Sequence, residues 1–276
     1  MRIAVQTLGS LRVERDGEEI SSLPRQTVRC ALFLYLAVQR EVTRDAAMGL
    51  LWPDKDPDRA RGALNQTLYE LRKVLGEDWV KTQGDFFRVS EDVEVDALQF
   101  EARVGEGDHE GALTLYRGPF LAGSAPPAGI GFEHWSERQR SHYETEHRKA
   151  RRGRVEELYE AGDREGALAV ARSWWEKDPL EDEAAHWVIR LLAELGRKSQ
   201  ALKTYDQYAA TLKQELEVEP LDETKEFVER VRSGEFEVGA LAGREQAPGA
   251  GLLMPGPRWP PSRGGRSSAS LGRALW

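Results

Sequence analysis

Between Leu51 and Gly76 the chain reads LWPDKDPDRARGALNQTLYELRKVLG, a short acidic loop that launches one long amphipathic helix. Projected at 100° per residue, Asp58–Leu75 sorts into two sides. Ala60, Ala63, Leu64, Leu68, Leu71, Val74 and Leu75 fall on one side; Arg59, Arg61, Asn65, Gln66, Tyr69, Arg72 and Lys73 fall on the other. The apolar side can pack on a small core. The polar side carries groups suited to a duplex: Arg for guanine, Asn or Gln for adenine, Lys and Tyr for the backbone. Gly62 sits in the middle of that polar face. A mid-helix glycine costs about 1 kcal/mol against alanine, so a close approach to another surface is one reason to tolerate it. The same pattern also fits an ordinary solvated face, so the surroundings have to decide.

Composition narrows the choice. The chain has 276 residues, which suggests two compact domains, and a hydrophobic fraction of 40% is enough for real cores. No apolar run approaches the ~18 residues of a membrane span, and the N-terminus has no secretory h-region. The single cysteine, Cys30, excludes an internal disulfide framework, fits a cytoplasmic location, and reads as a small core residue. The net charge of −8 is spread unevenly: −2 over residues 1–95, −10 over 96–243 and +4 over 244–276. Within Arg59–Leu75, four basic residues face one acidic residue. A locally basic helix on an acidic protein implies weak non-specific attraction to DNA and a strong need for correct base contacts.

The elements around that helix suggest how it is held. Met1–Thr7 alternates in β fashion, and Leu11–Glu14 and Glu18–Ile20 flank Asp16-Gly17, a hairpin signal. Gln26–Gln39 reads as a helix behind Pro24, and Thr43 is the expected N-cap of a helix over Arg44–Leu51. Gly76 ends the long helix. Trp79–Thr82 and Phe86–Ser90 then form short β runs around Gln83-Gly84-Asp85, where one of Phe86 and Phe87 must face the core. Strands, three helices and a terminal hairpin in this order resemble the OmpR-type winged helix. The resemblance implies that Asp58–Leu75 enters the major groove and that Lys81, Thr82, Gln83 and Arg88 lie on or near the wing and its phosphates. It also implies that the loop Trp52–Pro57 faces RNA polymerase. The winged helix begins at residue 1, so no receiver domain is expected, and no activation by phosphorelay.

The second half repeats. GDHEGAL at 107–113, GDREGAL at 162–168 and GRKSQAL at 196–202 share one pattern, and the last two lie 34 residues apart, the tetratricopeptide period. The glycine makes the turn between antiparallel helices, the alanine permits close packing, and the leucine fills the gap. Pro179 and Pro220 mark helix stops. Glu183–Leu195, Ser199–Glu215 and Leu221–Val231 supply further amphipathic helices, a stack with a concave face for a peptide, a protein or another subunit. LYRGPFL at 115–121, WSERQR at 135–140 and the stretch 162–208 resemble the bacterial transcriptional activator domain, which follows an OmpR-type winged helix in the SARP class of regulators. The resemblance covers about residues 1–232. It implies a transcription regulator, usually an activator, whose subunits bind direct repeats side by side near a promoter and contact RNA polymerase.

The expected fold is therefore mostly α with a small β component. A winged helix-turn-helix over 1–95 precedes a tetratricopeptide-like domain over 96–235 and a tail over 236–276 with the composition of a disordered segment. Leu241–Glu245 resembles the start of the nucleotide-binding domain that follows this module in larger regulators, so the tail reads either as the remnant of a longer gene or as a natural flexible tail. No GxxxxGKS or GxxxxGKT is present, so ATP binding has no support. Enzyme readings are equally bare. His142, Glu146 and His147 could be imagined around a metal, but SHYETEHRKARR reads as a solvated helix face, and there is no GxSxG elbow or Cys–His pairing. Neither catalysis nor a cofactor is expected. Trp174 and Trp175 read as repeat core and groove wall. The reading is a cytoplasmic, sequence-specific DNA-binding regulator; the alternative is a protein-interaction scaffold that has lost DNA binding.

Overall fold

A computed structural model describes residues 2–235; the expected tail lies outside them. The chain opens with three strands, β1 (Ile3–Gln6), β2 (Arg12–Arg15) and β3 (Glu18–Glu19). Asp16 and Gly17 both take positive φ, 52° and 88°, the twist that a two-residue hairpin turn needs. Helix α1 (Thr27–Gln39) leads through β4 (Glu41–Thr43) to α2 (Arg44–Leu51) and α3 (Pro57–Leu75). Strands β5 (Val80–Gln83) and β6 (Phe86–Val89) form the terminal hairpin, and β7 (Val93–Val95) follows.

Two short strands were not expected. β4 joins the hairpin to give a sheet ordered β4-β6-β5, and β7 pairs parallel to β1, completing the sheet β3-β2-β1-β7. Both have three residues, too few for alternation to show. β7 returns the chain to its start, so that Asp96 can tie the two ends together. Its carboxylate accepts from Thr7 N and Oγ1, both at 2.7 Å, and from Leu8 N at 3.1 Å.

The helical half contains α4 (Asp96–Glu106), α5 (His109–Leu115), the 31-residue α6 (Ile130–Glu160), α7 (Arg164–Lys177), α8 (Asp182–Glu194), α9 (Lys198–Glu215) and α10 (Asp222–Ser233). The three repeat motifs fold alike. Gly107, Gly162 and Gly196 take φ of 81°, 82° and 75°, the left-handed conformation that reverses the chain between helices. Asp108 and Asp163 then cap the next helix by accepting from Gly111 N and Gly166 N. Ala112, Ala167 and Ala201 are fully buried. The residue after the second motif position reaches the next unit each time. His109 Nε2 lies 3.9 Å from Glu157 of α6, Arg164 Nε lies 3.1 Å from Glu194 of α8, and Lys198 Nζ donates to Arg232 O of α10 at 3.2 Å. The expected concave face is reduced at α8, none of whose residues is exposed. α10 packs Thr224, Phe227 and Val228 inward, and His186 of α8 meets Thr224 at 3.1 Å.

Apolar packing runs straight across residue 95. One cluster extends from Ile3 through α1 and α3 to Phe100, Phe120, Trp135 and Ala150; a second runs from Val155 through α7 and α8 to Val231. Helix α6 passes from one to the other. The LYRGPFL segment is a clasp: Leu121 N donates to Thr7 O (2.7 Å), Gly9 N donates to Pro119 O (3.1 Å), and Leu8 pairs with Phe120. From WSERQR, Trp135 stands edge-on to Tyr35 of α1 and Phe120, each ring pair under 6 Å between centroids. Where α6 begins, a Cβ on Gly131 would lie 2.5 Å from Leu50 O of α2, so only glycine admits this approach. SHYETEHRKARR is a solvated face only in part, with Ser141, His142, Glu144, Thr145, Arg148 and Lys149 exposed. Tyr143 is 1% exposed, and His147 stacks on Tyr116 with centroids 3.6 Å apart.

Candidate nucleic-acid interface

α3 forms where its sequence asks it to. Asp56 accepts from Arg59 N at 3.0 Å as N-cap, Pro57 occupies the first turn, and Gly76 ends the helix at φ 94°. Leu64, Leu68, Leu71 and Leu75 are buried in the first core, and Ala60 is buried on the same side. Helical periodicity then places the polar residues in two outward stripes. One carries Arg61, Asn65, Tyr69 and Arg72; the other carries Arg59, Gln66 and Lys73. Gly62 lies between them, and a Cβ there would meet nothing within 4 Å.

The stripes are not uniformly free. Arg59 and Arg61 reach out, with side chains 84% and 62% exposed and only intrahelical or capping acids beside them, Asp56 at 3.2 Å and Asp58 at 3.9 Å. Such exposed pairs contribute about 0–1 kcal/mol and yield readily to a phosphate. Tyr69 is half exposed with Lys73 Nζ 4.2 Å from its ring centre. Gln66 donates to Glu70 at 2.9 Å. Arg72 departs from the expected outward position. It is half-buried, turned 3.6 Å from Glu77, and its Nε is buried without a hydrogen bond.

The wing hairpin separates its candidates by register. Lys81 pairs with Arg88, and Gln83 with Phe86, so these four share one face. Thr82 pairs with Phe87 and shares the other, toward the core, although it stays exposed. Phe87 is fully buried and Phe86 exposed, which resolves the aromatic pair. Arg88 is engaged by Glu41 across the sheet.

One neighbour was missed from the sequence. Arg44 begins α2, behind Thr43, whose side chain accepts from Ala46 N at 3.1 Å. Its N–H donates to Asp85 O at the wing turn, its guanidinium lies 4.9 Å over the Phe87 ring, and its Nη1 donates to Asn65 Oδ1 at 3.1 Å. The signal in the sequence is weak: a cation in the first turn of a helix opposes the dipole by about 0.3–1 kcal/mol, a cost that a partner elsewhere would offset.

His142 and His147 do not converge on a common metal position. His142 Nε2 meets Glu101 of α4 at 3.1 Å, whereas burial beside Arg151 and Lys177 lowers the pKa of His147 to about 3. No helix among the described residues is long and apolar enough to cross a membrane.

A fold of this shape, with an outward basic helix on a clasped helical stack, has known counterparts. The family model "Bacterial transcriptional activator domain" matches residues 85–232, and the chain belongs to that family, a family of transcriptional regulators rather than of enzymes. The resemblance to SARP-class regulators holds. The chain is 25% identical over 278 residues to Regulatory protein AfsR of Streptomyces griseus, an alignment covering 95% of this chain and 28% of that protein. It thus spans little more than a quarter of that relative's length. Among solved structures, the chain is similar to Mycobacterium tuberculosis EmbR, solved in complex with a low affinity phosphopeptide. The TM-score is 0.63 at 21% identity, over 84% of this chain and 65% of that one, a likeness of fold.

Proposed function

We propose that the chain is a sequence-specific DNA-binding regulator, an activator, that docks on double-stranded promoter DNA through α3 and the β5–β6 wing. In functional terms, residues 1–95 read DNA and residues 96–235 form the tetratricopeptide-like module for self-association or partner sensing. The observation that carries this reading is the outward surface of α3, where Arg61, Asn65 and Tyr69 stand free of the core with Arg59, Gln66 and Lys73 beside them. Arg72, at the end of the same stripe and closer to the core, and Lys81, Thr82 and Gln83 of the wing complete the proposed surface, with Lys81 assigned to phosphate contact. Family membership supports regulation of transcription. The exposed loop between α2 and α3 is the proposed contact for RNA polymerase, and two copies on direct repeats are the proposed assembly. The reading places the protein in the cytoplasm.

The test is genomic-fragment capture with purified protein beside the Arg61→Ala/Asn65→Ala double variant. Wild type should recover a repeated motif that the variant does not, since each lost base contact costs about 1–3 kcal/mol of discrimination. Equal recovery by a folded double variant overturns the assignment of this face. The net charge of −8 favours a second reading, a protein-binding scaffold. Salt separates the two: DNA affinity must fall steeply between 50 and 200 mM through counterion release.

A further inference from the structure

Asn65 stands in the middle of the outward stripe, one turn from Arg61 and one from Tyr69. Read from its type alone, it suits adenine, whose major-groove edge presents a donor at N6 beside an acceptor at N7. A bidentate pair of that kind needs the carboxamide oxygen and nitrogen side by side on the base. Arg44 already faces that oxygen. A guanidinium only donates, so the atom of Asn65 turned toward Arg44 Nη1, at 3.1 Å, must be Oδ1. The carboxamide is thereby held in one orientation, with a second lone pair on Oδ1 and the Nδ2 N–H groups left for a base edge. The arrangement is held from behind as well as from the side. The Arg44 guanidinium lies over Phe87, which is fully buried and cannot retreat, and its backbone N–H is fixed to Asp85 O at 2.8 Å.

We infer that Arg44 is a specificity-determining positioning residue: by donating to one lone pair of Asn65 Oδ1, it fixes the orientation of the carboxamide, so that the remaining lone pair and the Nδ2 N–H groups meet a base edge in one arrangement only. This rests on the DNA-reading proposal above. It goes beyond that reading by naming a specificity-determining residue that sequence periodicity does not select.

The test is selection from a randomised duplex library with the full chain, run for wild type, Arg44→Ala, Arg44→Lys, Asn65→Ala and the Arg44→Ala/Asn65→Ala pair. Asn65→Ala should flatten the preference at one base pair by about 5- to 150-fold. Arg44→Ala frees the carboxamide to turn and should relax the preference at that same base pair, and the double variant should match Asn65→Ala. Arg44→Lys keeps the charge without the planar fork and should relax the preference in the same way. It provides the reading if the alanine variant melts early. A preference at that pair left unchanged by both Arg44 variants overturns the inference. So does a uniform loss of affinity across all sequences, which marks Arg44 as a phosphate contact. Wild type that selects no motif at all strikes down the DNA-reading proposal itself, and this inference with it.

Discussion

Gly62 offers a perturbation whose two effects have opposite signs. It lies within α3 between Asn65 and Gln66 on the outward face, its φ is not positive, and a Cβ there meets no atom within 4 Å. Alanine can therefore adopt the same backbone without strain or clash. The helix gains about 1 kcal/mol from reduced conformational freedom of the unfolded chain and better intrinsic propensity. For a chain of this size that corresponds to a rise of about 2–4 °C in Tm. Nothing inside the protein opposes this gain, so a destabilised Gly62→Ala would contradict the open geometry at once. On DNA the methyl group has a different fate. If the centre of this face meets a groove edge, the added methyl holds the helix off and weakens several contacts together, an expected loss of about tenfold or more in affinity, equivalent to about 1.4 kcal/mol. The assays are thermal unfolding of the free protein and fluorescence anisotropy on a captured duplex at one fixed salt concentration. A variant that melts higher and binds equally well or tighter would refute the reasoning, because the middle of the stripe would then touch nothing.

Two further outcomes follow from the packing. Gly131→Ala places a Cβ 2.5 Å from Leu50 O, a backbone atom that cannot rotate away. The expected overpacking cost of about 1–3 kcal/mol outweighs a propensity gain of at most about 1, so Tm should fall, in contrast to Gly62→Ala, and a rise would refute the close approach of α6 to α2. The second outcome concerns acid. Burial lowers the pKa of His147 to about 3 and that of His186 to about 4, with nearby cations adding to the effect, whereas both titrate near 6.5 when unfolded. The unfolded chain then binds protons that the native chain refuses, so stability present above pH 6.5 is lost as pH falls toward the folded values. At pH 5.5 the loss is about 1.4 kcal/mol per histidine. The buried Asp96 and Glu183 are shifted upward by burial and act in the opposite sense, so the measurement is the difference between wild type and His147→Phe at pH 7.5 and 5.5. The variant should lose about 1.4 kcal/mol less over that interval; an identical pH response in both would rule out the neutral buried imidazole.

What could be read from the residues was whatever local periodicity and end signals determine. α3 has a cap, an N-terminal proline, a continuous apolar stripe and a terminal glycine, and it forms almost as expected. The three Gly-x-x-x-x-Ala-Leu motifs give the same turn three times because the left-handed glycine and the buried alanine are local requirements. The remainder depended on partners distant in the chain. β7 exists because β1 lies beside it, and nothing in Val93-Glu94-Val95 names that neighbour. His147 looked solvated because its own helix is rich in charge; the ring that buries it, Tyr116, comes from another element. The position of Arg72 depends on Glu77 beyond the helix end, and that of Arg44 on Asn65 and Phe87. At the candidate interface, residue types and spacing were legible. Which side chains are free to reach outward was not, since that depends on which charges the fold has already paired.

Helix α6 begins against α2, beside the elements proposed to read DNA, and ends among α7 and α8. Its 31 residues make a rod of about 46 Å at 1.5 Å per residue. A rod of that length converts angle into displacement at about 0.8 Å per degree. A tilt of about four degrees imposed at the repeat end thus moves the other end by about 3.4 Å, the rise of one base pair along a DNA strand. For two copies set side by side on one duplex, a small repacking around α8 would be felt as a change of one step in the operator spacing that both can span.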